Sequence, residues 1–126
     1  MSTLEEQVFD YISALRGTDH ESAHRRLIEL GPQVIPLVTT YFRQERDVSV
    51  RAILVNIASQ ANSANAIPFL TEALDDVEPN VWKEALDGLV SLGGRDALDV
   101  IRQTRRRAPE KAEWLGEAID QITEDC

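Results

Sequence analysis

The chain has 126 residues, 43% of them hydrophobic, enough for one ordinary globular domain. Its formal charge is −9, the wrong sign for gripping many phosphates, which disfavours nucleic acid and favours a basic protein partner. The one cysteine, Cys126, leaves no internal disulfide, the N-terminus has no signal-like pattern, and no stretch is long enough to cross a bilayer. The expectation is therefore a cytoplasmic chain with no membrane partner.

Leu4, Val8, Tyr11, Ile12 and Leu15 fall at helical spacing, and Gly17 closes that helix. Thr18, with Glu21 three residues on, reads as a capping box for a second helix that runs to Leu30 and stops at Gly31. Pro32 suits the first turn of a third helix carrying Val34, Ile35, Val38, Tyr41 and Phe42 to about Gln44. Asp47 caps the next helix, which reaches about Gln60, and Ser63 opens another that ends near Leu74. Asp75-Asp76-Val77-Glu78-Pro79 is a turn. Helices are then expected over 79–92, 95–107 and 109–123, with Gly93-Gly94 between the first two. Pro36 and Pro68 fall inside helices near their starts, where a slight bend is expected. No segment alternates like a strand.

The pattern repeats. Val50-Arg51-x-x-Leu54-Val55-x-x-Ala58-x-x-Ala61 returns 31 residues later as Val81-Trp82-x-x-Ala85-Leu86-x-x-Leu89-x-x-Leu92. Ala66-Ile67-Pro68-Phe69-Leu70 returns as Ala97-Leu98-Asp99-Val100-Ile101, and Val34-Ile35-Pro36-Leu37-Val38 is an upstream copy. Repeats of this length are stacked units, each too small to bury its own apolar face. The predicted architecture is an all-α superhelix of about eight short helices stacked as antiparallel pairs in one domain, 1–126. An N-terminal capping helix (1–17) precedes repeats at 18–46, 47–77 and 78–108, and a C-terminal capping helix (109–126) follows.

Val50-Arg51-Ala52-Ile53-Leu54, Val81 through Leu92-Gly93, and the Ile-Pro-Phe/Leu-Leu/Val start of the second helices resemble HEAT repeats. Trp82 stands where that family often has the arginine that Arg51 retains. The resemblance implies that the second helix of each pair lines a concave face. The chain would be a protein-binding module, not an enzyme, that takes a basic partner there without a cofactor, as an inhibitor or immunity-type protein does. A chaperone or lyase role, known among HEAT-like proteins, is an alternative. Glu5, Glu6, Glu110, Glu113 and Glu117 suit the polar outer faces of the terminal units.

Repeat alignment gives the candidate binding residues. Thr39, Thr71 and Arg102 are equivalent, as are Thr40, Glu72 and Gln103, and Arg43, Asp75 and Arg106. With Asp76 and Glu78 of the turn, the row runs from mixed through acidic to basic, and charge rows select partners. Trp82 is a candidate hot spot, whereas Trp114 reads as core. Arg102, Arg105, Arg106 and Arg107 also complement a helix C-terminus.

One motif points elsewhere. His20-Glu21-Ser22-Ala23-His24 is an H-E-x-x-H sequence on a predicted helix, which puts both imidazoles on one face for zinc with Glu21 as base. It resembles zinc metallopeptidases and supports a metal-dependent hydrolase as the alternative function. No third histidine exists, Arg25 and Arg26 follow directly, and the repeat register already accounts for His20 and His24.

Overall fold

Eight α-helices and no strand are found in the computed structural model, which describes residues 3–125 and the side chains of 3–123. The helices are α1 Leu4–Ala14, α2 His20–Glu29, α3 Ile35–Gln44, α4 Val48–Gln60, α5 Ile67–Leu74, α6 Pro79–Leu92, α7 Gly94–Arg107 and α8 Ala112–Asp125. The expected all-α class is what folds. Cys126 lies outside the described residues.

Several starts follow the expected chemistry. Thr3 Oγ1 accepts from the Glu6 amide at 3.1 Å, and Asp47 Oδ1 accepts from the Val50 amide at 3.0 Å. Ser63 Oγ takes the Asn65 amide at 3.2 Å. The capping box at Thr18 does not form. Asp19 is the N-cap of α2 and makes no side-chain cap bond, so that start relies on backbone pairing such as Ala23 N–H to Asp19 O at 3.0 Å.

The prolines act differently from the expectation of bent helices. A 3-10 turn, Gly31–Val34, precedes α3, and another, Ala64–Ala66, precedes α5, so Pro36 and Pro68 are the second residues of their α-helices. A proline there lacks the N–H that would have reached back four residues. The amide of the residue before it reaches back three instead, Ile35 to Pro32 O and Ile67 to Ala64 O. Asp99 holds the equivalent place in α7, and that helix runs unbroken from Gly94.

The turns within the pairs share one backbone device. Gly31, Asn62 and Gly93, each 31 residues after the last, have φ of 78°, 49° and 64°. The left-handed conformation ends α2, α4 and α6 at the same repeat position, using the two residue types that tolerate it best.

Packing sorts the helices into two layers. α2, α4, α6 and α8 lie side by side in one layer, and each packs against its chain neighbours α1, α3, α5 and α7 in the other. In that second layer α5 contacts α7, and Phe42 of α3 meets Phe69 of α5 edge-on at 5.1 Å. One continuous core runs through the stack, with Val8, Leu27, Leu54, Leu70, Leu89 and Leu115 fully buried. The acids Glu5, Glu6, Glu110, Glu113 and Glu117 are exposed on the terminal helices.

α4 and α6 approach most closely where α6 carries Gly88. A Cβ there would lie 2.1 Å from Ser59 Oγ and 2.9 Å from Ser59 Cβ. The hydroxyl can rotate away, but the Cβ cannot. Gly88→Ala is therefore expected to cost about 1–3 kcal/mol. Ser59→Gly in the same chain should recover more of that loss than Ser59→Ala. Urea unfolding of the three variants checks this ordering.

Candidate functional site

The second-layer helices carry the charge row expected from the repeat alignment, and the structure pairs much of it internally. Arg43 of α3 grips Glu72 of α5 as a fork, Nη2 to Oε1 at 2.7 Å and Nε to Oε2 at 3.0 Å. The hydrogen bond from Arg43 holds the Glu72 carboxyl below its ordinary value, and the same bond raises the Arg43 guanidinium. Asp75 at the end of α5 pairs with Arg107 of α7 at 3.3 Å. Arg102, Arg105 and Arg106 are exposed on α7 and form no ion pair among the described residues. Thr39 and Thr71 back-bond to Ile35 O at 2.8 Å and Ile67 O at 2.7 Å, whereas Gln103 is exposed.

Asp76 and Trp82 do not belong to this surface. The Asp76 side chain is 9% exposed, pairs with Arg51, and accepts the Glu78 amide at 3.0 Å, so it builds the turn. Trp82 is only 6% exposed and meets Trp114 edge-on at 6.4 Å. The indole expected as a surface hot spot is thus packing between units. Trp114, expected in the core, is 49% exposed, with the Lys83 ammonium 4.1 Å from its ring centre. The exchange has a simple cause, because Trp82 lies inside the stack and Trp114 lies on its last helix.

Two cations that close helix ends organise the turns beside the row. Arg51 Nη1 donates to Glu45 O at 2.9 Å and Phe42 O at 3.3 Å, its Nη2 pairs with Asp76, and its guanidinium stacks 4.2 Å from the Phe42 ring centre. In the next unit Trp82 replaces this arginine, and the equivalent carbonyl, Leu74 O, needs another donor. Lys111 supplies it from the 3-10 turn before α8. Its Nζ donates to Leu74 O at 2.8 Å and Asp76 O at 3.1 Å, lies 5.2 Å from the Trp82 ring centre, and the residue is 6% exposed. Lys111 was not singled out from the sequence. The signal available there was the missing arginine at position 82.

The H-E-x-x-H motif is present on α2, but its rings turn to different partners. His20 Nδ1–H donates to Gly17 O at 3.2 Å. The Glu84 carboxylate accepts Asn56 Nδ2–H at 2.7 Å, which leaves Asn56 Oδ1 to accept His24 Nε2–H at 2.7 Å. This polar chain joins α2, α4 and α6. Glu21 is exposed, and among the described residues no three His, Cys, Asp or Glu side chains gather as a metal site. The chain borders a cleft between α4 and α6 lined by Asn56, Ser59, Glu84, Asp87 and Ser91. Desolvation, then the nearby Glu84 carboxylate, raises the Asp87 carboxyl above its ordinary value.

Two predictions follow from these contacts. Lys111→Met should cost about 2–3 kcal/mol in urea unfolding, since two hydrogen bonds to a charged donor are lost and a helix end stays buried. Arg51→Ala should cost about 2–4 kcal/mol by stranding Asp76, and Arg51→Lys less, because it keeps the charge but not the fork. For Asp87 the sign is opposite. A carboxyl that holds its proton more tightly in the folded state stabilises the fold when protonated and loses that stability as pH rises through its folded value. Asp87→Asn should therefore melt roughly 1–2 °C higher at pH 7, after allowance for solvent screening, and match the parent near pH 3.

Comparison of the chain with protein-family models, with curated proteins and with solved structures finds no match. The functional reading therefore rests on the geometry of the chain itself.

Proposed function

We propose that this chain is a HEAT-like binding module with no catalytic role of its own. It takes a basic protein partner on the face of α3, α5 and α7, as a small inhibitor or immunity-type protein does. The observation that carries this reading is the pair of exposed ion pairs crossing that face, Arg43–Glu72 and Asp75–Arg107. Surface pairs of this kind contribute only about 0–1 kcal/mol to the fold. Their carboxylates are thus held in place, oriented, and released at little cost when a partner's cation competes for them. The net charge of −9 favours encounter with a basic surface. Arg102 and Arg106 at the end of the row oppose a wrongly registered cationic partner, which gives the face a direction.

The test is affinity capture from the native source with the parent chain and with a Glu72→Lys, Asp75→Lys variant. Both substitutions are exposed or half-buried, so melting should confirm an intact fold. The parent should retain one dominant basic protein that salt releases, and the variant should bind that same protein at least about tenfold more weakly. Equal binding by the two chains overturns the assignment of this face.

A further inference from the structure

A different part of the second layer carries a feature that the charge row does not explain. Phe9 is 56% exposed in the middle of α1, although its neighbours Val8 and Ile12 are buried. α1 faces α3 across a furrow, with Phe9 and the half-buried Tyr41 along its length. Towards its start the furrow is lined by Glu5, Glu6 and Asp10, and towards its far end by Gln44 and the Arg16–Glu45 pair. Among its described lining residues Arg16 is the one cation, and Glu45 already holds it. The aromatic surface is thus left open under a rim of carboxylates that have no ion-pair partner among the described residues.

We propose that this furrow is the docking groove for an arginine-bearing, amphipathic segment of the protein partner. The assignment rests on the protein-binding reading above and adds a second, separable place of contact. Charge complementarity selects the occupant. A leucine-like side chain or the stem of an arginine covers Phe9 and Tyr41, and the guanidinium reaches Glu5, Glu6 or Asp10. Arginine suits such a groove because its planar cation both stacks on aromatic rings and binds carboxylates as a fork. A second copy of this chain is a poorer occupant, since two molecules of charge −9 repel.

The test is an amide chemical-shift titration with a short synthetic peptide of alternating arginine and leucine, beside its glutamate-for-arginine counterpart. The arginine peptide should shift residues of α1 and α3, and the glutamate peptide should not. Phe9→Ala should weaken binding at least about tenfold with little change in melting, because the side chain is largely exposed. A Glu6→Lys, Asp10→Lys variant should weaken it similarly and flatten its salt dependence. Shifts confined to α5 and α7 overturn the groove while leaving the protein-binding reading standing. Unchanged affinity in Phe9→Ala overturns it as well. Self-association of the parent chain that Phe9→Ala abolishes, without peptide shifts, assigns the groove to a second copy and overturns the proposal.

Discussion

A helix that ends against a neighbouring unit leaves carbonyls that water cannot reach, and they must find donors within the protein. This stack answers that constraint with long cations placed across the turns. Arg51 closes the end of α3, and Lys111 closes the end of α5. The two side chains come from different positions in their units, yet they satisfy equivalent carbonyls. Around them the rest of the turn falls into place. Asp76 balances Arg51, Phe42 lies under its guanidinium, and Trp82 lies beside the Lys111 ammonium. The substitution of Trp82 at the arginine position and the burial of Lys111 are two sides of one solution.

The surface charges follow a different logic. Carboxylates on the middle of the second layer are paired with arginines of adjacent units, whereas those at the α1 end are not. Paired charges set direction and register, and unpaired ones set attraction. A single acidic total hides this division. The two faces of the stack also differ, because the first layer ties its helices through the neutral and acidic chain of His24, Asn56 and Glu84. The histidine that suggested zinc chemistry in the sequence has a full structural occupation here as the end of that chain.

Periodicity made much of the fold legible. Apolar residues at helical spacing placed eight helices, and Asp47 and Ser63 marked two of the starts that form. The residues that ended helices were legible one at a time, as Gly31 and Gly93. Asn62 completes the series only when the backbone shows all three in the left-handed region. What stayed hidden depends on contacts between units. Nothing local distinguishes the buried Trp82 from the half-exposed Trp114, because their burial is decided by which unit lies over them. Gly88 reads as an ordinary weak spot in a helix, and its need becomes plain only when Ser59 of the neighbouring helix is beside it. Thr18 shows the reverse case, a good local signal that tertiary placement of α2 leaves unused.

The reach of these ties has a consequence for how the stack opens. Among the described residues no side-chain hydrogen bond joins positions more than 37 apart, so each unit is held by its immediate neighbours alone. Such chains have low contact order, fold quickly, and fray from their ends in steps. The two ends are not equal. The α8 end is pinned by Lys111 and by the Trp82–Trp114 contact, whereas α1 is tied to α3 by the exposed Arg16–Glu45 pair. Unfolding thus starts at α1, and a partner seated against that helix serves as the missing terminal unit, slowing the first step of disassembly for the whole array.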